Sequence, residues 1–106
     1  MIVEAFEEVA AMPTPEVLAA DDVVDGFKAL ADPVRLDLFT RIAAVNEMSC
    51  SRLTDEAAVT ASTVSYHVKT LKNAGLVAVR KEGRNYHYSA ERGSVDRLSA
   101  FLGALR

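Results

Sequence analysis

The chain holds one cysteine, no tryptophan, three prolines and five glycines in 106 residues. A single cysteine permits no internal disulfide and fits a reducing compartment. No apolar run approaches the ~18–20 residues of a membrane-spanning helix. The opening MIVEAFEEVA carries glutamates where a secretion signal needs positive charge, so a cytoplasmic protein is expected. Low-complexity runs and internal repeats are missing. So are a Gly-rich phosphate loop after a strand, a nucleophile elbow and a clustered acid–base set, and neither enzyme activity nor a cofactor is expected. What is present is an ordinary globular mix, 50% apolar and 25% charged, long enough for one modest core.

Positive charge is scarce overall, with a net charge of −3, but it is unevenly placed. Residues 1–59 hold four Lys/Arg against twelve Asp/Glu, or −8. Residues 60–90 hold Lys69, Lys72, Arg80, Lys81 and Arg84 against Glu82 alone, or +4, and residues 91–106 add +1. A polyanion is drawn to the middle third and repelled by the rest.

That third opens with TASTVSYHVKTLKNAGL, residues 60–76. Val64, Val68 and Leu71 form one apolar stripe of a helix. Ser62, Thr63, Ser65, Tyr66, Lys69 and Lys72 lie off it. Small hydrogen-bonding side chains followed by lysines suit a helix in the DNA major groove, where hydroxyls meet base edges and ammonium groups meet phosphates. Thr60 or Ser62 can cap its start, and Gly75 can end it in a left-handed turn. On this stretch alone, a packed surface helix of a small globule is the plainer alternative.

The flanking segments add context. Ile2, Phe6 and Val9 are spaced as one face of a short helix, which Pro13-Thr14-Pro15 interrupts. Glu16 to Leu30 is helix-permissive, with a restart at Asp21 or Asp22 and a stripe of Val23, Phe27 and Leu30. Gly26 is its weak point, and a break there is plausible on propensity. Asp32-Pro33 is a helix start, with Asp as cap and Pro in the first turn. That helix runs to about Val45, with Val34, Leu38 and Ile42 inward, Leu36 and Phe39 widening the face, and Arg35, Asp37 and Arg41 outside. Asn46–Ser49 reads as a loop. A shorter helix, started by Ser49 or Ser51, reaches about Ala58 with Leu53 and Ala57 inward. Short helix, tight turn and polar-fronted helix make a helix-turn-helix.

After Gly75 the period changes to that of strands. Leu76–Val79 and Tyr86–Ser89 form a two-stranded hairpin with Gly83 at the turn. Its tip carries Arg80, Lys81 and Arg84, a basic arm suited to phosphates or a minor groove. Tyr86 and Tyr88 share one face and His87 takes the other. The last helix starts near Gly93, with Ser94 as its cap. Val95, Leu98, Leu102 and Leu105, joined by Phe101, make a two-helix seam. A partner copy across a two-fold axis, with Phe27 on the same interface, is the expected cover; docking on its own domain is the alternative. The fold class is mainly α with a small β-hairpin, a winged helix-turn-helix that dimerises through its N- and C-terminal helices. The expected division is an N-terminal helical extension over 1–20, the DNA-binding domain over 21–92 and a dimerisation helix over 93–106.

Two stretches, FKALADPVRLDLFTRI and SRLTDEAAVTASTVSYHVKTLKNAGLVAVRKEGRNYHYS, resemble the ArsR family of bacterial dimeric winged-helix repressors. The resemblance rests on the ALADPVR opening, the S-x-H-V-K-x-L-K-x-A-G-L-V helix and the R-K-E-G-R-x-Y-x-Y-S wing. It implies a homodimer built on the first and last helices, and binding to an inverted-repeat operator of double-stranded DNA that an inducer relieves. The family's recognition-helix positions fall on Ser62, Thr63, Ser65, Tyr66 and Lys69, and its wing positions on Lys81, Arg84 and Asn85. Ala61 stands where members often carry Gln, so base preference does not carry across.

Many relatives sense metals through a C-x-C-D-L-like run. This chain reads Ser49-Cys50-Ser51-Arg52 before Leu53, with serine at both ligand positions. Others use Asp and His on the last helix, which here offers Asp96 and no histidine. Metal sites of this kind want three or four soft or imidazole donors. No metal site is expected; the sequence does not reveal whether an inducer exists, and a small molecule, an oxidant or a partner protein are the alternatives. Cys50 reads as a small core residue, with a redox switch as the alternative. His67 reads as a satisfied structural histidine. His87 reads as outward-pointing and without the second donor that a ligand role requires. Two further readings are a winged helix used for protein contact and a metal- or redox-responsive repressor working through Cys50.

Overall fold

The computed structural model of the chain describes residues 20–105. The helix expected around Ile2, Phe6 and Val9, and the break at Pro13–Pro15, lie outside the described residues. The order is α1 (Ala20–Leu30), α2 (Pro33–Ala43), β1 (Met48–Ser49), α3 (Cys50–Ala57), α4 (Ala61–Asn73), β2 (Val77–Glu82), β3 (Asn85–Ala90) and α5 (Arg92–Gly103). This is a winged helix-turn-helix.

Local chemistry sets most of the boundaries. Asp32 Oδ1 accepts from the backbone N–H groups of Val34 and Arg35 at 2.9 and 3.0 Å, and Pro33 takes the first helical position of α2. Ser49 caps α3 by accepting from the Arg52 N–H at 3.1 Å. Thr60 caps α4 by accepting from the Thr63 N–H at 3.1 Å. Gly75, with φ +78°, closes α4: its N–H donates to Lys72 O, and the Leu76 N–H donates back to Leu71 O at 3.0 Å. That bond pair is the Schellman motif, which glycine permits without a Cβ clash. Between α3 and α4 the chain turns through Ala58 at φ 56°, a left-handed conformation uncommon for a residue with a Cβ.

The α4 stripe is buried as the spacing predicts, with Val64, Val68 and Leu71 meeting Leu38, Ile42 and Leu53 in the core. Phe39 also turns inward, whereas Leu36 does not: it stays about half exposed on the outer face of α2. Arg35, expected outside, is largely covered. Its Nε donates to Ala29 O at 2.6 Å and its Nη1 lies 3.5 Å from His67 Nδ1, so it joins α1, α2 and α4. His67 is held there as a structural residue.

Three expectations are corrected by packing. Asn46–Ser49 is not all loop, because Met48 and Ser49 pair antiparallel with Tyr88 and His87. The hairpin is thus part of a three-stranded sheet in the order β1-β3-β2, with Met48 buried beneath it. Gly26 does not break α1. A Cβ there would come within 3.0 and 3.2 Å of the Leu98 methyl groups, so glycine lets α5 cross α1 closely. Ser94 does not cap α5, which begins two residues earlier with Glu91 at the N-cap position and no side-chain cap. The Ser94 hydroxyl instead donates to Gly75 O at 2.6 Å. Arg92 donates to Ala43 O and Val45 O at 2.9 and 3.2 Å, so the start of α5 is tied to the loops after α4 and α2.

Candidate nucleic-acid interface

Burying Val64, Val68 and Leu71 fixes the roll of α4 and leaves its polar front outward. Ser62, Ser65, Tyr66, Lys69 and Lys72 are exposed, Tyr66 to 66%. Thr63 is half-buried, because its hydroxyl lies 2.8 Å from Thr60 Oγ1 in the cap. Thr63 is thereby partly committed to the helix start. Tyr66 packs edge-on against His67, with ring centroids 5.1 Å apart.

The hairpin continues this surface. Strands β2 and β3 pair from Val77↔Ala90 to Glu82↔Asn85, and Gly83 and Arg84 form the two-residue turn. Gly83 has φ +61°, the sign a tight hairpin turn demands at its first central residue. Lys81, Arg84 and Asn85 are exposed at the tip. The Lys81 ammonium sits 5.8 Å from the centroid of the Tyr86 ring, its cross-strand partner.

Arg80 departs from the expected basic arm. Its guanidinium donates to both carboxylate oxygens of Glu47, at 3.0 and 2.8 Å, and to Glu82 at 3.0 Å. The hydrogen bonds from Arg80 hold the Glu47 carboxyl below its usual pKa, and those to Glu47 and Glu82 push the Arg80 guanidinium up. Arg80 therefore ties the sheet to the loop before β1, its charge neutralised. Lys69, Lys72, Lys81 and Arg84 form no ion pair with a carboxylate among the described residues. His87 is not outward-pointing as expected. It is half-buried beside Glu47, 3.9 Å from Nδ1 to Oε1, and its buried Nε2 has no hydrogen-bond partner among the described residues.

Sequence reasoning placed Tyr86 on a strand but gave it no part in the site. In the structure it lines a cleft of about 370 Å³ between α4 and the hairpin, facing Ser65, Lys69 and Lys72. The floor of that cleft is Val68, Val79 and Tyr88. The alternation of β3 was the available signal: it put Tyr86 and Tyr88 on one face, and only Tyr88 reaches the core.

Cys50 begins α3, half-buried, with Sγ 3.9 Å from Thr54 Oγ1. It borders the core next to Tyr88, whose phenol burial pushes well above its usual pKa. Ser49 and Ser51 flank it, and Ser49 is engaged as the α3 cap. No group of three or more His, Cys, Asp or Glu able to hold a metal occurs among the described residues.

The seam expected on α5 divides in two. Leu98 is buried within its own chain against Gly26, so it is not the free interface residue expected, and Val95 is partly buried on the same core. Phe27 is partly buried and meets Phe101 edge-on at 6.0 Å. Phe101, Leu102 and Leu105 remain 45%, 55% and 65% exposed. No helix of the described residues is long and apolar enough to cross a membrane.

Comparison with known proteins agrees with this geometry. A helix-turn-helix domain family matches residues 30–80. The chain is 41% identical over 64 residues to the HTH-type transcriptional regulator YceK of Bacillus subtilis, a stretch covering 59% of this chain and 64% of that protein. It is 32% identical over 83 residues to a cadmium resistance transcriptional regulatory protein CadC homolog of Staphylococcus aureus, covering 76% of this chain and 69% of that one. In fold it is similar to a homodimeric winged helix-turn-helix DNA-binding domain of Mycobacterium bovis, a possible ArsR-family regulator. That match has TM-score 0.68 and 26% identity, and covers 89% of this chain and 86% of the other. Fold and relatives together place the chain among the helix-turn-helix transcriptional regulators of the winged-helix class. Within that class, the chain belongs to the ArsR family.

Proposed function

We propose that the chain is a repressor that acts as a homodimer on an inverted-repeat operator. In this reading α4 enters the major groove, with Ser62, Thr63, Ser65, Tyr66 and Lys69 facing bases and phosphates. Lys72, Lys81, Arg84 and Asn85 engage the backbone or the neighbouring minor groove. The observation that carries the reading is the set Lys69, Lys72, Lys81 and Arg84, spread from α4 to the hairpin tip and paired with no carboxylate among the described residues, on an otherwise acidic chain. The exposed Phe101, Leu102 and Leu105, with Phe27 beneath, supply the dimer contact. The Mycobacterium bovis neighbour, a homodimer, supports this assembly. The division in this reading is an N-terminal extension over 1–20, the DNA-binding unit over 21–92 and the dimerisation helix over 93–106.

The inducer is a small molecule or an oxidant rather than a metal, since serines flank Cys50 where paired soft donors would stand. Selection of bound duplexes from random DNA is expected to return two half-sites about one helical turn apart. With about three phosphate-contacting cations per protomer, log K should fall with log[salt] at a slope near −5. A shallow slope would instead point to a winged helix used for protein contact. Release of the complex by stoichiometric zinc or arsenite would overturn the non-metal assignment.

A further inference from the structure

A helix in the major groove and a hairpin in the adjacent minor groove straddle one sugar–phosphate strand, because a single strand separates the two grooves. Whatever lies between helix and hairpin on the protein faces that strand. In this chain it is the cleft of about 370 Å³ bounded by Ser65, Lys69 and Lys72 on α4 and by Tyr86 on β3. We propose that this cleft is a phosphate seat and that Tyr86, donating its phenol to a backbone phosphate opposite Lys69, is a DNA-contacting residue that sets the hairpin against the strand. The inference rests on the DNA-binding reading above.

Three observations lead to it. First, the chemistry of the rim suits an anion: two hydroxyls and two ammonium groups, with no carboxylate among the lining residues. Two grooves of similar size differ in this respect. The groove of about 360 Å³ between α3 and the hairpin, which Tyr86 borders on its other side, includes Asp55, and the one of about 310 Å³ between α1 and α4 includes Asp25. Second, the floor is fixed by the core, since Val68 and Tyr88 are buried, so the backbones that carry the rim residues keep their spacing. Third, Tyr86 is placed by its neighbours. It pairs with Lys81 of β2, and β1 pairs with the next two residues of its strand, His87 and Tyr88. The Lys81 ammonium stands 5.8 Å from the ring centroid, adding a cation beside the same seat. A phosphate held there meets charge from helix and hairpin together, with a neutral donor that adds direction.

The test uses the full chain and a labelled duplex of about 30 base pairs, three helical turns. Binding is measured for wild type, Tyr86→Phe and Lys69→Gln across a salt series. It is then repeated on duplexes in which single phosphates are replaced by uncharged methylphosphonate. Tyr86→Phe keeps the ring and removes only the hydroxyl. It should weaken binding about tenfold per protomer on duplexes of any sequence, with an unchanged salt slope, since no charge is lost. Lys69→Gln should lower the slope by about one per protomer. At one phosphate in each half-site, methylphosphonate should abolish the difference between wild type and Tyr86→Phe, while flanking positions preserve it. Wild-type binding that Tyr86→Phe leaves unchanged overturns the phosphate seat and spares the DNA-binding reading. A Tyr86→Phe effect confined to certain base sequences also overturns it, because the phenol then reads bases. Failure of wild type to bind any duplex removes both.

Discussion

The α4–hairpin face and the outer end of α5 are both exposed, but they are unfinished in opposite ways. The first presents cations whose countercharge is missing from the described residues, and the second presents apolar side chains without cover. Each contains a neighbour that the fold has already completed. Arg84 stands at the hairpin tip, whereas Arg80, four positions earlier, is bound to Glu47 and Glu82. Leu102 is exposed, whereas Leu98, one helical turn earlier, fills the notch at Gly26. Residue type therefore does not identify the interface. What identifies it is which groups remain unsatisfied after the chain has packed on itself.

The strongest way to break the comparison is at the end of α5. Replacing Leu102 and Leu105 together by Asp should convert a homodimer to single copies in sedimentation analysis. Loss of bivalent attachment should then weaken operator binding at least about a hundredfold. A stable dimer in that variant would place the contact elsewhere. Leu98→Ala sharpens the same comparison from inside the fold. It should cost about 2–5 kcal/mol in urea unfolding, as a large-to-small change in a core does. That loss should be independent of protein concentration, whereas the loss from the paired Asp variant should depend on it.

The hairpin offers a smaller contrast. Arg84→Ala should weaken binding to all duplexes about tenfold and lower the salt slope by about one per protomer. Arg80→Ala should leave that slope close to wild type, because its charge is already neutralised by two carboxylates. Equal slopes for the two variants would mean that the Arg80 ion pairs open when DNA binds.

Acid provides the gentlest test. The Asp32 carboxyl lies below its ordinary 3.8, chiefly through the Arg35 backbone N–H, and Glu47 lies below its ordinary 4.5, chiefly through Arg80. A carboxylate depressed in the folded state binds its proton more readily when unfolded. Its stabilising effect is therefore full above the ordinary value and is lost as pH falls through the folded one. Urea midpoints should be flat from about pH 7 to 5 and decline below about pH 4.5. Glu47→Gln should flatten part of that decline, and a decline of unchanged size would remove Glu47 as a source.

Much of the fold was legible because its signals are local. Asp32-Pro33, Ser49, Thr60, Gly75 and Gly83 act within one turn of themselves, and they start or end elements where their chemistry says they should. The apolar stripe of α4 was equally plain, since one helical period decides its inward face and so its polar front. Features made by distant contacts were hidden. The two residues of β1 become a strand only by pairing with β3. Ser94 looked like a cap until Gly75 O came within 2.6 Å. Leu36 fitted a widened stripe, yet the core closed without it. Tyr86 falls in the wing motif without a role of its own there, and its place in the cleft depends on how β3 meets α4.

By itself the sequence determined where most of the helices and the hairpin turn begin, and that positive charge gathers between residues 60 and 90. Those properties need only covalent neighbours and helical spacing. The tertiary structure alone decided which charges and which apolar side chains stay available to other molecules. Glu47 meets Arg80 across 33 positions, and Gly26 meets Leu98 across two helices. Contacts of that kind depend on proximity in space, which spacing along the chain does not encode.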